Sequence, residues 1–361
     1  MGLPICYPQF VQVESGSAWI DRLFPIPVRE GRSREKFKAG LINCLGETII
    51  PPTFEAAYPF RNGLASVRQG GLWGAIDSSG ELVIPLVSGS PLIFTEGLAQ
   101  FTSGGDNSDR RGVISATGEI IVKPRYRSVS HFSGGIACVY DGKLYGYIDR
   151  DGNQVIPPFF EDARAFSEGV AAVKLNGAWG YIYPDASTAI AIRFICERGM
   201  AGPFRGGLAR VAQNGKWGHI NRDGQFVVEP RFDMAHEFSE GMATVILGTR
   251  TGYVDRDGKL AVPAVFLGGG RFSCGVAAVN TGTGEAHRSI ADACEIGFID
   301  SKGEFVITPR FFATGSFQDG LCLVETENDI LYVDATGVSV WRSGWVEFGL
   351  FDPYHLLPAQ P

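Results

Sequence analysis

Residues 215–224 read GKWGHINRDG and carry the pattern that decides the fold. The glycine that follows the tryptophan, here called the anchor glycine, recurs at Gly40, Gly74, Gly112, Gly146, Gly180, Gly218, Gly252 and Gly297. Two residues beyond every anchor stands Ile or Val, a β-branched type that favours a strand. Six residues beyond stands a turn glycine in seven of the eight copies, with Ala186 as the exception. Each anchor is therefore followed by a tight hairpin, because such turns need a positive φ that glycine adopts at little cost.

A phenylalanine and a second glycine complete the unit. The phenylalanines are Phe60, Phe94, Phe132, Phe166, Phe204, Phe238, Phe272 and Phe317, and the second glycine follows each of them by three residues. From anchor to second glycine is 23 residues in seven copies and 27 in the fifth, Gly180 to Gly207. We expect the small residues at the second glycine to let another backbone approach closely. The usual period is 34 residues, so the 361-residue chain is a tandem repeat and not two unrelated domains.

These units resemble the bacterial WG-repeat proteins, whose unit reads roughly GKWGYIDxxG followed by FxEGLA. Residues 215–224 with 238–243, and residues 177–182, carry the signature best, and the resemblance covers about residues 24–341. The tryptophan is kept only at Trp73, Trp179 and Trp217. The resemblance implies a β-repeat scaffold and brings no catalytic residues with it.

The pattern of each unit predicts a three-stranded antiparallel meander. The whole chain is therefore predicted to have an all-β fold of about nine such repeats over residues 24–341. A proline in the strand after the turn is expected to end it, because proline cannot donate to the ladder. No unit is split between the two ends, which favours an open β-solenoid or superhelix. Residues 1–23 and 342–361 then serve as terminal caps. A closed, β-propeller-like ring is the alternative.

Composition excludes several function classes. The net charge of −7 and the pI of about 5.4 disfavour nucleic acid as a partner. Without a basic and apolar leader or a long apolar run, we expect a cytoplasmic protein that does not insert into a membrane. The five histidines fall at unrelated repeat positions, and the seven cysteines include no C-x-x-C pair. We therefore predict no metal site, no cofactor and no enzyme activity. Asp149–Gly152 and Asp255–Gly258 resemble calcium-loop openings but lack the remaining acidic ligands, so they are interpreted as hairpin turns.

Three units enlarge the turn between their first two strands, at residues 29–39, 102–111 and 280–296. Equivalent loops of a repeat array emerge on one face, and insertions on one face are often the binding surface. The charged residues of these loops are the predicted site: Arg29, Arg32, Arg34, Lys36, Asp106, Asp109, Arg110, Arg111, Glu285, His287, Arg288, Asp292 and Glu295. The alternative is that the loops are tolerated insertions with solvated charges.

The sequence thus predicts a non-catalytic repeat scaffold with a protein partner, serving as an adaptor or as an immunity-type protein that neutralises a toxin. One alternative is a module that binds carbohydrate or the cell envelope, which requires the aromatic residues beside the anchors to be exposed together. A second alternative is an enzyme whose site is assembled across several repeats.

Overall fold

The computed structural model describes residues 23–29, 37–103, 110–196, 199–282, 296–326 and 329–343. These ranges fold into nine small antiparallel sheets, numbered here in chain order. Two compact units divide the chain, one from residues 60–232 and the other from 1–59 with 233–361. The described ranges contain no helix that has the length and apolarity to span a bilayer.

The unit of residues 60–232 holds the strands of sheets 2 to 6. They are β5 (Ala65–Gln69), β6 (Leu72–Ile76) and β7 (Leu82–Ser88); β8 (Leu98–Thr102), β9 (Arg111–Ser115) and β10 (Ile120–Tyr126); β11 (Ser128–Val129), β12 (Ile136–Tyr140), β13 (Tyr145–Asp149) and β14 (Gln154–Phe160); β15 (Asp162–Ala163), β16 (Ala171–Leu175), β17 (Ala178–Ile182) and β18 (Thr188–Phe194); and β19 (Ala209–Gln213), β20 (Lys216–Ile220) and β21 (Phe226–Phe232).

The other unit holds sheets 1, 7, 8 and 9. Its strands are β1 (Phe24–Arg29), β2 (Phe37–Ile42) and β3 (Thr48–Phe54), followed by the short β4 (Ala56–Ala57); β22 (Met234–Ser239), β23 (Met242–Leu247), β24 (Arg250–Asp255) and β25 (Leu260–Phe266); β26 (Gly268–Gly269), β27 (Ala277–Asn280), β28 (Ile296–Ile299) and β29 (Phe305–Phe311); and β30 (Ala313–Thr314), β31 (Leu321–Glu325), β32 (Ile330–Asp334) and β33 (Ser339–Arg342).

The predicted meander is present in every sheet, and most sheets begin with a two-residue strand that the sequence did not predict. In sheet 4 the order is β11-β12-β13-β14, and neighbouring strands are antiparallel. The last strand of each sheet is called its outer strand below. It is half-exposed, with two buried residues among seven in β14.

Proline does not end the outer strand, contrary to the expectation. β14 runs through Pro157 to Phe160, and its register against β13 shifts between Ile156 and Phe160. This shift is a bulge, and a bulge on an edge strand is a position where the missing N–H of proline costs no ladder hydrogen bond.

The bulge explains why the anchor position is glycine. The close backbone approach that was expected at the second glycine occurs at the anchor instead. A Cβ on Gly146 would lie 2.6 Å from the Ile156 carbonyl oxygen and 2.7 Å from the Pro158 nitrogen. The second glycine Gly169 has φ +83° and nothing within 4 Å of such a Cβ. Close backbone approach therefore belongs to the anchor, whereas the second glycine supplies a left-handed turn.

Ala186 takes the turn-glycine position of the fifth repeat with φ 66°. We expect Ala186→Gly to raise the free energy of unfolding by about 1 kcal/mol, because it relieves a left-handed alanine. Ala116 lies in the corresponding hairpin of the third repeat without a positive φ, so Ala116→Gly is expected to lower stability instead. Urea unfolding of both variants measures the two changes in the free energy of unfolding. If both changes have the same sign, Ala186 is not strained.

Aromatic residues join several sheets to the next sheet of the same compact unit. Tyr181 of sheet 5 lies 4.9 Å from the ring of Phe204 and donates to the Gly202 carbonyl at 2.8 Å. Tyr253 repeats the joint in the other unit, with its ring 5.0 Å from Phe272. The repeated phenylalanines are all buried. Phe166, Phe204, Phe272 and Phe317 each pack on an aromatic ring of the preceding sheet.

The first and last sheets of the chain pack on each other through a joint of the same kind. Tyr332 donates to the Pro25 carbonyl at 2.9 Å, and its ring lies 5.5 Å from Phe24. Phe24, Ile26 and Leu323 belong to one buried cluster. The expected open array is therefore corrected to its alternative, the β-propeller class, because the last sheet covers the apolar face of the first. Residues 1–22 and 344–361 of the predicted caps lie outside the described residues.

Candidate functional site

The three enlarged loops occupy the equivalent place in their repeats, as predicted: they join β1 to β2, β8 to β9 and β27 to β28. Most of the predicted site lies outside the described residues, namely Arg32, Arg34, Lys36, Asp106, Asp109, Glu285, His287, Arg288, Asp292 and Glu295. Arg29 is the last residue of β1. Only Arg110 and Arg111 are placed with their contacts.

Arg110 joins two repeats. Its Nη1 donates to the carbonyl oxygens of Arg125 at 3.0 Å and of Asp141 at 3.2 Å. Asp141 lies in the corresponding turn of the next repeat, where the backbone N–H groups of Leu144 and Lys143 hold its pKa below the usual range. The Arg110 side chain thus binds the protein's own backbone, and Arg111 contacts Gln100 only weakly, at 3.5 Å.

The conspicuous carboxylates of the FxEG segments are also used between repeats. Glu168 accepts the Gly206 and Gly207 N–H groups at 2.5 and 3.1 Å, and Arg222 donates to it at 2.9 Å. Glu96 makes the equivalent contacts with Gly134, Gly135 and Arg150. These charges stabilise the joints of the array.

Most aromatic residues beside the anchors are buried, whereas Tyr145 is half-buried and stacks on Tyr140. Trp179, Trp217, Tyr147, Tyr181 and Tyr253 are all among the largest fully buried side chains. The carbohydrate hypothesis required these residues to be exposed together, and they are not.

The calcium-like segments are hairpin turns. Asp149 Oδ1 accepts the N–H groups of Asp151 at 3.0 Å and Asn153 at 2.8 Å. Asp255 does the same with Asp257 and Lys259. The described ranges contain no cluster of three or more His, Cys, Asp or Glu that could hold a metal.

The fifth repeat departs from the others on both sides of β18. Tyr183 replaces the Asp, Asn or Ser that caps the hairpin, Ala186 replaces the turn glycine, and four extra residues follow β18. The connection after β18 crosses Trp217, since a Cβ on Gly199 would lie 3.0 Å from that ring. The sequence signal for this departure is the spacing of 27 residues between Gly180 and Gly207.

A cavity of about 420 Å³ opens beside the end of β18. Its lining residues come from β18 and the residue after it, from the β19–β20 turn and from the start of β21: Arg193, Phe194, Ile195, Gln213, Asn214 and Phe226. The β19–β20 turn is the sixth repeat's version of the turn that is enlarged elsewhere. A volume of this size is in the range of ligand sites.

Arg193 joins β18 to the β20–β21 turn beside the cavity. Its Nη2 donates to the Gly224 carbonyl at 2.7 Å, and its guanidinium carbon lies 5.2 Å from the centre of the Phe194 ring. Phe194 meets Phe226 edge to face at 6.1 Å. Ile195 is 57% exposed and Met200, in the following connection, is 38% exposed. The cavity therefore combines a cation and two amides with apolar surface.

Beneath this surface, burial raises the pKa of the Cys196 thiol, which accepts the Ala212 N–H at 3.4 Å. Cys196 is thus a buried, neutral packing group at neutral pH.

The repeat itself identifies the family. A model described as the WG containing repeat matches residues 40–73, 73–105, 112–145, 145–179, 190–217, 217–248, 252–282 and 296–328. The chain belongs to the WG-repeat family. Residues 180–189, which include Tyr183 and Ala186, fall between two matched stretches of this WG-repeat protein. No curated protein matches the sequence significantly.

Several solved structures are similar to this WG-repeat protein. A crystal structure of the eukaryotic initiation factor shares 14% identity over 90% of this chain and 96% of that chain, with a TM-score of 0.62. The dihydro-heme d1 dehydrogenase NirN in complex with DHE (13% identity, 94% and 77% coverage, TM-score 0.47) and apo AztD from Citrobacter koseri (13%, 90% and 94%, 0.43) are less similar. The first likeness concerns the fold alone, and it supports the nine-sheet β-propeller class.

Proposed function

We propose that this WG-repeat protein is a non-catalytic scaffold that binds another protein, and that the cavity beside β18 is part of the contact surface. The observation that carries the proposal is the position of this cavity. It opens beside the end of β18, where the four extra residues of the fifth repeat begin, and next to Ile195, whose apolar side chain is largely in water. Exposed apolar surface around a small polar cavity is typical of protein contact sites.

The enlarged loops are a second proposed contact area. The first loop is basic, with Arg29, Arg32, Arg34 and Lys36, and so suits an acidic partner surface. The proposal includes the expectations that the protein works in the cytoplasm, uses no cofactor and catalyses no reaction. An adaptor and an immunity-type protein differ only in the identity of the partner, so identifying the partner decides between these roles.

Carbohydrate binding is the weaker proposal, because the aromatic residues at equivalent repeat positions pack inside the protein. An enzyme needs convergent polar groups with shifted pKa values in a cavity. The six residues that line the cavity beside β18 include no carboxylate, histidine or thiol.

Affinity capture from host lysate with mass spectrometry tests the proposal. The baits are the wild type, Arg193→Val, Arg125→Val and a loop variant with Arg29, Arg32, Arg34 and Lys36 changed to alanine. Arg125 is the matched control: it occupies the same repeat position as Arg193, stacks on Tyr126 and donates to the Gly152 carbonyl. Valine is a natural residue at this position, as in Val87 and Val265.

We expect a protein captured by the wild type and by Arg125→Val to be lost with Arg193→Val. Loss with the loop variant alone would move the site to the first loop. If no protein is enriched over an empty bait, the proposed function fails and a glycan or small ligand takes its place.

A further inference from the structure

The outer strands of the first eight sheets are alike in length and differ in one respect. Each has seven residues: β3, β7, β10, β14, β18, β21, β25 and β29. Seven of them contain proline in the bulge, at Pro51, Pro52, Pro85, Pro124, Pro157, Pro158, Pro230, Pro263 and Pro309. β18 reads TAIAIRF and contains none.

Proline in these strands removes hydrogen-bond donors from the sheet edge. The bulge of β18 lies between Ile190 and Phe194, which pair with Tyr181 and Trp179 of β17. Ala191 therefore lies between the paired positions, and four other outer strands carry proline at its position without losing their sheet. The Ala191 N–H is thus not needed by the ladder. Proline on an edge strand blocks pairing with another chain, and β18 lacks this protection.

β18 is also suited to pairing by composition and position. It is the last strand of sheet 5, and Thr188, Ile190 and Ile192 are β-branched residues that favour a strand. Ala191 and Arg193 are exposed on its open face. The strand ends at the cavity, where a side chain of a paired segment would find Arg193 and the amides of Gln213 and Asn214.

We infer that β18 accepts an extended segment of a partner protein as an additional strand, with an acidic side chain of that segment entering the cavity beside Arg193. The inference rests on the proposed protein-binding function and specifies its mode. In strand addition, backbone hydrogen bonds supply affinity and side-chain cavities supply specificity.

The charge of the cavity selects the acidic segment. Its lining contains one guanidinium and no carboxylate, and a bidentate carboxylate is the preferred partner of such a group. A second copy of this chain is a poorer occupant. Antiparallel pairing of two β18 strands about Ala191 sets Arg193 opposite Ala189, and β18 contains no acidic residue to meet the cation.

The test uses a displayed library of random peptides, selected on the full-length protein and followed by fluorescence anisotropy of the enriched peptides. Ala191→Pro removes the edge donor with a residue that this position accepts in other repeats. Thr308→Pro is the matched control, because Thr308 occupies the same position of β29, where proline already follows. Thermal unfolding of both variants checks that they are folded.

We expect enriched peptides with alternating β-branched residues and one acidic residue. Ala191→Pro should weaken binding at least about tenfold, whereas Thr308→Pro should leave it within about twofold. Replacing the acidic residue of the peptide by its amide should weaken binding to the wild type about tenfold and leave binding to Arg193→Val unchanged. This coupling identifies the carboxylate–Arg193 contact.

The inference would be overturned if no peptide is enriched, or if Ala191→Pro binds the enriched peptides as tightly as the wild type does. It would also be overturned if sedimentation velocity shows a dimer that Ala191→Pro dissociates, because a second copy of the chain would then be the occupant. A captured partner that is lost with Arg193→Val and retained with Ala191→Pro would leave the proposed function standing while strand addition fails. Failure of the wild type to capture any protein would instead remove the proposed function.

Discussion

Gly146→Ala is expected to lower the free energy of unfolding by about 3 kcal/mol, near the upper end for overpacking a well-filled interior. The added methyl group would meet the Ile156 carbonyl oxygen at 2.6 Å and the Pro158 nitrogen at 2.7 Å. Both are backbone atoms of a bulge that the β13–β14 pairing holds in place. Because neither can rotate away, the outer strand must shift. Urea unfolding followed by tryptophan fluorescence measures the loss.

Gly169→Ala is the control for this prediction. Gly169 has a positive φ and nothing within 4 Å of an added Cβ, so the change costs about 1 kcal/mol of left-handed strain. Equal losses in the two variants would show that glycine is needed at both positions for backbone conformation alone, and the explanation of the anchor by close approach would be wrong.

Phe24→Ala is expected to cost about 3 to 4 kcal/mol, as large-to-small changes of buried aromatic residues do. Phe24 is 4% exposed and packs on Tyr332 of the last sheet. The loss should be accompanied by faster amide exchange in both β1 and β32, because one joint holds the two together.

Phe159→Ala provides the comparison for Phe24→Ala. Phe159 is 58% exposed on β14, and its removal is expected to change stability by no more than about 0.5 kcal/mol. If Phe24→Ala is as mild as Phe159→Ala, or if exchange rises in β1 alone, the first and last sheets are not packed together in solution.

Much of the fold could be predicted from the repeat. Anchor glycines, turn glycines and β-branched positions determine the local strand order, and local strand order is all that a meander requires. The relation between the ends could not be predicted in this way. No repeat is split between the two ends of the chain, and this feature favours an open array. In the structure, however, the Tyr332 hydroxyl donates to the Pro25 carbonyl, as the Tyr181 hydroxyl does to the Gly202 carbonyl. The number and boundaries of the repeats do not indicate whether the first and last sheets pack on each other.

The candidate site could be predicted only in part, because most of the charged residues of the enlarged loops lie outside the described residues. Arg110 stands in a loop of conspicuous charge and donates to the backbone of its own protein. For the site proposed beside β18, the signal in the sequence is an absence: residues 188–194 contain no proline. Such absences have meaning only once the structure shows which edge the proline protects.

The central claim is that the fifth repeat of this protein holds the partner. Hydrogen–deuterium exchange of the full chain, with and without the captured partner, tests it most directly. We predict slower exchange in residues 188–196 and 213–216 when the partner is bound. Unchanged exchange there, with protection confined to residues 29–39, 102–111 or 280–296, would contradict the claim and return the site to the enlarged loops.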